Sequence, residues 1–167
     1  MTKLPVAPLT QEDLLRILHR QSQAGSVLVT AGLIEDELEK LLLSAGRPLE
    51  NRTAKDIFGA MGPLHGFSAK IEIAFMFELI DQSARDDLQV IKSIRNKFAH
   101  TTRYVFFESH HIDHECRKLS NWRSELGNEE VFRRRAIGCV NLIRQKIDAL
   151  MFAKALQEEP SITEDDE

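Results

Sequence analysis

The chain has 167 residues, of which 43% are hydrophobic and 29% charged. This composition supports one packed domain and excludes a chain disordered throughout. No apolar run nears the ~20 residues of a membrane span, and residues 1–11 lack the basic-then-apolar pattern of a secretion signal, so neither membrane nor export is expected.

Two cysteines, Cys116 and Cys139, set up neither a disulfide framework nor a paired metal motif. A reducing, cytoplasmic location is the expectation. The net charge of −4 is unevenly spread. Residues 158–167 carry six carboxylates and no Lys or Arg, whereas residues 92–146 carry 12 Lys/Arg against 6 Asp/Glu. The basic stretch could attract a polyanion, but an ordinary solvated basic face has the same count, and the excess is small for a DNA reader. With Pro160 and few apolar side chains, residues 158–167 read as a disordered acidic tail. Residues 1–9 read as an extension and residues 10–157 as one helical domain.

The chain order is as follows. Thr10, with Gln11, Glu12 and Asp13 behind it, predicts a helix start and a helix to residue 21. Gly25 and Ser26 open a second helix in which Val27, Ala31, Ile34, Leu38, Leu41 and Ala45 step by three and four. Gly46 and Pro48 end it. Residues 47–66 form a linker with a short helical turn over 54–58 and a glycine-rich bend at Gly59, Gly62, Pro63 and Gly66. Residues 67–80 are apolar nearly all round, which predicts a helix at the centre of a bundle. Ser83 is placed as the cap of the next helix, whose inner stripe is Leu88, Ile91, Ile94 and Phe98. Residues 104–107 read as a short strand or an apolar loop, and 112–122 as a short helix. Asn128 is expected to cap a long final helix with Phe132, Ala136, Val140, Ile143, Ile147 and Leu150 inward. The predicted fold is an all-α, single-domain bundle of five main helices.

The sharpest motif is Arg95-Asn96-Lys97-Phe98-Ala99-His100. At 100° per residue, Asn96 and His100 share one face, with Arg95 at its margin and Ile94 and Phe98 turned to the core. Histidine moves protons near neutral pH, and arginine holds a phosphate through two parallel hydrogen bonds. The same three residues also suit plain helix-end bonding. His110, His111, Asp113, His114 and Cys116 form a second cluster, but Cys116 lies off the face shared by His110 and His114, so no metal site is expected. Arg133, Arg134 and Arg135 fan over about 200° and cannot all meet one surface. No nucleotide, hydrolase or metalloprotease fingerprint is present. Neither metal nor cofactor is implied. The one candidate helix-turn-helix bend precedes a helix too apolar for a DNA groove.

The segment Gly62-Pro63-Leu64-His65-Gly66-Phe67-Ser68-Ala69-Lys70-Ile71, continuing to Ile80, resembles the mannitol operon repressor (MltR-like) family. So do its spacing to the Arg95…His100 segment and the acidic helix start at Arg85-Asp86-Asp87. The resemblance covers about residues 20–105. It implies an all-helical regulator of a sugar-alcohol operon. With no DNA-reading element in the chain, action through a protein partner is expected over direct DNA binding. Gly62, Pro63, Leu64 and Ser68 are the expected partner surface. Arg95-Asn96-x-x-x-His100 also resembles the RxxxxH motif of HEPN domains, helical bundles that include metal-independent ribonucleases. That likeness implies, as the alternative, an RNA-cleaving site: His100 for proton transfer or phosphate binding, Arg95 for the developing charge, Asn96 for orientation. It further implies a homodimer.

Overall fold

A computed structural model describes residues 10–12, 23–100 and 105–158. Six helices order the described chain: α1 Gln23–Ala45, α2 Asn51–Phe58, α3 Phe67–Met76, α4 Gln82–Ala99, α5 His110–Cys116 and α6 Asn128–Glu158. There is no strand among the described residues, so the fold is all-α. Gln11 and Glu12 are helical. The rest of the helix predicted to residue 21 lies outside the described residues, as do residues 1–9 and 159–167.

The core follows from helical periodicity. On α1, Val27, Ala31, Ile34, Leu38 and Leu41 are buried in one stripe. Leu88, Ile91, Ile94 and Phe98 face them from α4. Phe132, Ala136, Val140 and Ile143 do so from α6, with Ile147 and Leu150 half-buried at the edge. Burying each large side chain is worth about 1.5–3 kcal/mol. The central element is α1, which packs against α3, α4 and α6.

That corrects the expectation for the apolar segment 67–80. The helix ends at Met76, four residues early. Only one side of it is buried, at Phe67, Lys70, Ile71 and Ala74, while Met76 and Phe77 are each 62% exposed. Its termination is a Schellman arrangement. Leu79 N–H donates to Ala74 O and Glu78 N–H to Phe75 O, both at 2.9 Å, and Glu78 adopts φ 55.

Other boundaries also shift. The cap of α4 is Asp81, whose Oδ1 accepts from Ala84 N at 2.7 Å, and the predicted cap, Ser83, lies inside the helix. Asn128 is the first residue of α6, and its amide donates to Phe107 O and Asp113 Oδ1, both at 3.0 Å, instead of capping. The short helix α5 stops at Cys116, and turns carry the chain on to Trp122. Residues 105–107 are irregular. Phe107 is buried there, its ring 5.3 Å from that of Phe98 and 5.5 Å from that of Phe132.

The buried charges are paired, as burial demands. Asp87, 2% exposed, accepts from Ser120 N at 2.8 Å, from Ser120 Oγ at 2.6 Å and from Arg135 Nε. Glu37 accepts from Lys40 at 2.9 Å and from Arg144 at 3.0 Å, tying α1 to α6. Lys70 of α3 meets Glu39 of α1 at 2.9 Å.

Candidate functional site

The trio Arg95, Asn96 and His100 sits in the last turns of α4, which the buried Ile94 and Phe98 hold against the core. His100 follows the last helical residue, and its N–H donates to Asn96 O at 3.0 Å. Arg95 Nη1 donates to Asn96 Oδ1 at 3.0 Å. Arg95 and Asn96 are half-buried and His100 is exposed.

Asn96 and His100 line an open trough of about 680 Å³. Gln89, Lys92, Ser93 and Lys97 of α4 continue it, and His111 enters from α5. On α4 these residues step by three and four over eleven positions, so the stripe is about 16 Å long at 1.5 Å per residue. The charge balance of the trough is positive. Lys92 Nζ donates to Ser68 Oγ at 3.0 Å. Lys97 has Glu115 at 3.8 Å, but that carboxylate also holds Lys118 at 3.0 Å. Neither Arg95, His100 nor His111 meets a carboxylate within ion-pair distance among the described residues. Chemically the trough offers cationic and imidazole donors to an oxyanion or an acidic surface.

The polar face of α4 was legible as spacing, since 89, 92, 93, 96, 97 and 100 share one side. His111 was not, because only the packing of α5 on α4 brings it there.

The residues of the glycine-rich bend serve different ends. Gly62 is buried in the turn, its N–H on Gly59 O at 2.7 Å. A Cβ there would lie 2.2 Å from Ile57 O, so only glycine lets the chain fold back on α2. Pro63 is exposed. Leu64, half-buried, faces an apolar groove with Ile57 and Phe58. Ser68 is exposed and accepts from Lys92 at the trough. The predicted partner surface is thus split between a structural turn, a groove and the trough margin.

In the other two motifs, Asp113, Cys116 and the three arginines are engaged internally, while His111 lines the trough. Asp113 accepts from Arg117 at 2.7 Å and from Asn128, and those two donors, Arg117 foremost, hold its carboxyl below the ordinary range. Cys116 is buried in the core. No group of three or more His, Cys, Asp or Glu side chains is arranged to hold a metal ion among the described residues. Arg133 and Arg134 both pair with Glu130, while Arg135 reaches Asp87.

The fold is an all-helical bundle similar to that of MtlR, and a basic trough runs along one of its helices. The comparison behind this is a solved structure described as the X-ray structure of the MtlR-HPr complex from Escherichia coli. It superposes with a TM-score of 0.61 at 15% identity, over 82% of this chain and 99% of that one. No protein-family model and no curated protein matches the sequence. No described helix is long and apolar enough to cross a membrane.

Proposed function

We propose that this protein is a regulator of the MtlR type that acts through protein contacts, in the manner of a sugar-alcohol operon regulator. The carrying observation is the likeness in fold, over nearly the whole length of the other chain, to a protein solved in complex with HPr. An HPr-type protein is accordingly the proposed partner. The proposed contact surface is the exposed face of α4, its trough, and the adjoining Ser68, with the exposed Pro63 of the bend as a further candidate.

A mixing experiment tests this. Titration of the protein with Escherichia coli HPr, followed by calorimetry, is expected to show saturable binding. Lys92→Glu together with Lys97→Glu is expected to weaken it tenfold or more and to remove much of its salt dependence. Absence of binding, combined with a shift of an operator fragment by the purified protein at physiological salt, would replace this reading with direct DNA binding.

A second reading rests on the trio itself: a metal-independent ribonuclease of the HEPN kind. Asn96 and His100 share the trough, and Arg95 is bonded to Asn96. In that chemistry His100 takes the proton of a 2′-hydroxyl as its oxygen attacks the adjacent phosphorus; the P–O5′ bond breaks, a 2′,3′-cyclic phosphate forms, and the departing 5′-oxygen takes a proton from water. Arg95 steadies the charge gathering on the phosphate oxygens, and Asn96 orients the group. Incubation with total RNA in EDTA, beside Arg95→Ala and His100→Ala, decides it. Cleavage lost in both variants supports this reading, and intact RNA with the native protein removes it. A homodimer completing the site is part of the same proposal, checked by sedimentation.

A further inference from the structure

A separate concavity, sharing no residue with the trough, lies where the end of α1 meets α2 and α3. It holds about 430 Å³. Leu42 and Leu43 of α1, Ile57 and Phe58 of α2, Leu64 of the turn and Ile73 of α3 wall it. Phe77, 62% exposed, stands on its lip. Apolar surface left open to water on this scale forgoes about 25 cal/mol per Å². It therefore points to an occupant.

Two observations narrow that occupant. The volume is in the range of small-molecule sites, about 300–1,000 Å³, whereas a docking helix alone is about 10 Å across. Among the residues lining the groove, Arg47 is the one that carries a charge. Arg47 is exposed and makes no hydrogen bond or ion pair among the described residues. The neighbouring cation, Lys154, is already engaged, donating to Gly46 O at 2.7 Å and fixing α6 to the end of α1. An apolar cleft with one unspent guanidinium matches a ligand with an apolar tail and one anionic head.

We infer that this groove binds a single-chain amphiphile whose acyl tail lies between α1, α2 and α3 and whose carboxylate or phosphate head meets Arg47. The site is independent of the trough and of the partner proposed for it.

Calorimetry on the full chain with octanoate, decanoate, dodecanoate, dodecyl phosphate and dodecanol, each below its micelle concentration, tests the inference. The expected result is one site per chain, with affinity rising about fourfold per added CH₂. Dodecanol is expected to bind about tenfold more weakly than the two anions. Whichever of dodecanoate and dodecyl phosphate binds tighter identifies the head group. Arg47→Gln should bring dodecanoate down to the dodecanol level and leave dodecanol unchanged. Leu64→Gln, with its fold checked by circular dichroism, should weaken every ligand tenfold or more. Binding indifferent to chain length, or unchanged in Arg47→Gln, overturns the inference. So does a dimer that Leu64→Gln splits and dodecanoate does not, because a second copy would then fill the groove.

Discussion

At the residue scale, the polar side chains inside the protein carry the sharpest consequences. Asp87 is buried and holds Ser120 and Arg135 together. Removing it strands a guanidinium that is itself mostly buried. Asp87→Ala is expected to cost about 3–5 kcal/mol in urea unfolding, whereas Arg134→Ala, at a pair with a 61% exposed arginine, should cost under about 1 kcal/mol. Glu37 sets an acid limit. Burial pushes its carboxyl up, but hydrogen bonds and charge from Arg144 and Lys40 outweigh that and hold it below its ordinary value of 4.5. The native state therefore binds fewer protons there than the unfolded chain. Its contribution is complete above pH 4.5 and disappears as pH falls through the lower native value. Thermal melts of Glu37→Gln should show a flatter loss of stability in that acid range than the native chain. The two thiols are the converse case. Burial above all pushes Cys116 and Cys139 up to about 12, so both should resist a disulfide reagent at pH 8 in the native state and react on unfolding.

At the element scale, the structure departs from simple periodicity where local polar chemistry decides. The apolar run 67–80 carried no Gly or Asn to announce a stop. Yet α3 closes at Met76, because Glu78 takes the left-handed position and lets Leu79 and Glu78 return their N–H groups to Ala74 and Phe75. A Cβ in that conformation costs about 1–2 kcal/mol. Glu78→Gly is expected to raise stability by about 1 kcal/mol, read as a higher melting temperature with unchanged helix content. The start of α4 shows a similar competition. Asp81 and Ser83 both had capping side chains, and Asp81 holds the position because its Oδ1 reaches Ala84 N. For α1, α4 and α6 the inward stripes were legible apart from Ala45, which is exposed at the end of α1, since long helices with a regular apolar period have one way to bury it. Residues 105–122 were not, because their order comes from contacts distant in sequence: Phe107 on Phe98 and Phe132, and its N–H on Gln23 Oε1 at 3.0 Å.

At the scale of the whole molecule, charge and shape separate two surfaces. The trough along α4 gathers Lys92, Lys97, His100 and His111 within a chain whose net charge is −4. If it is the docking face proposed above, HPr binding should weaken steeply between 50 and 300 mM salt, roughly an order of magnitude or more. The groove at Arg47 should show little salt dependence apart from its single ion pair.

The sequence by itself determined that this protein is a helical bundle and which faces of its long helices point inward. Burial of a 3.6-residue apolar period leaves little choice, and the absence of proline between Pro63 and Pro160 lets the helices run. It also put Asn96 and His100 on one side of a helix, because that is a matter of local rotation. Only the tertiary structure decided that α1, and not the greasier α3, sits at the centre. It alone brought His111 beside His100, turned Ser68 toward Lys92, and left Leu64 and Phe77 around an open groove. Those outcomes depend on how helices distant in sequence share a limited core, and no local pattern encodes that competition.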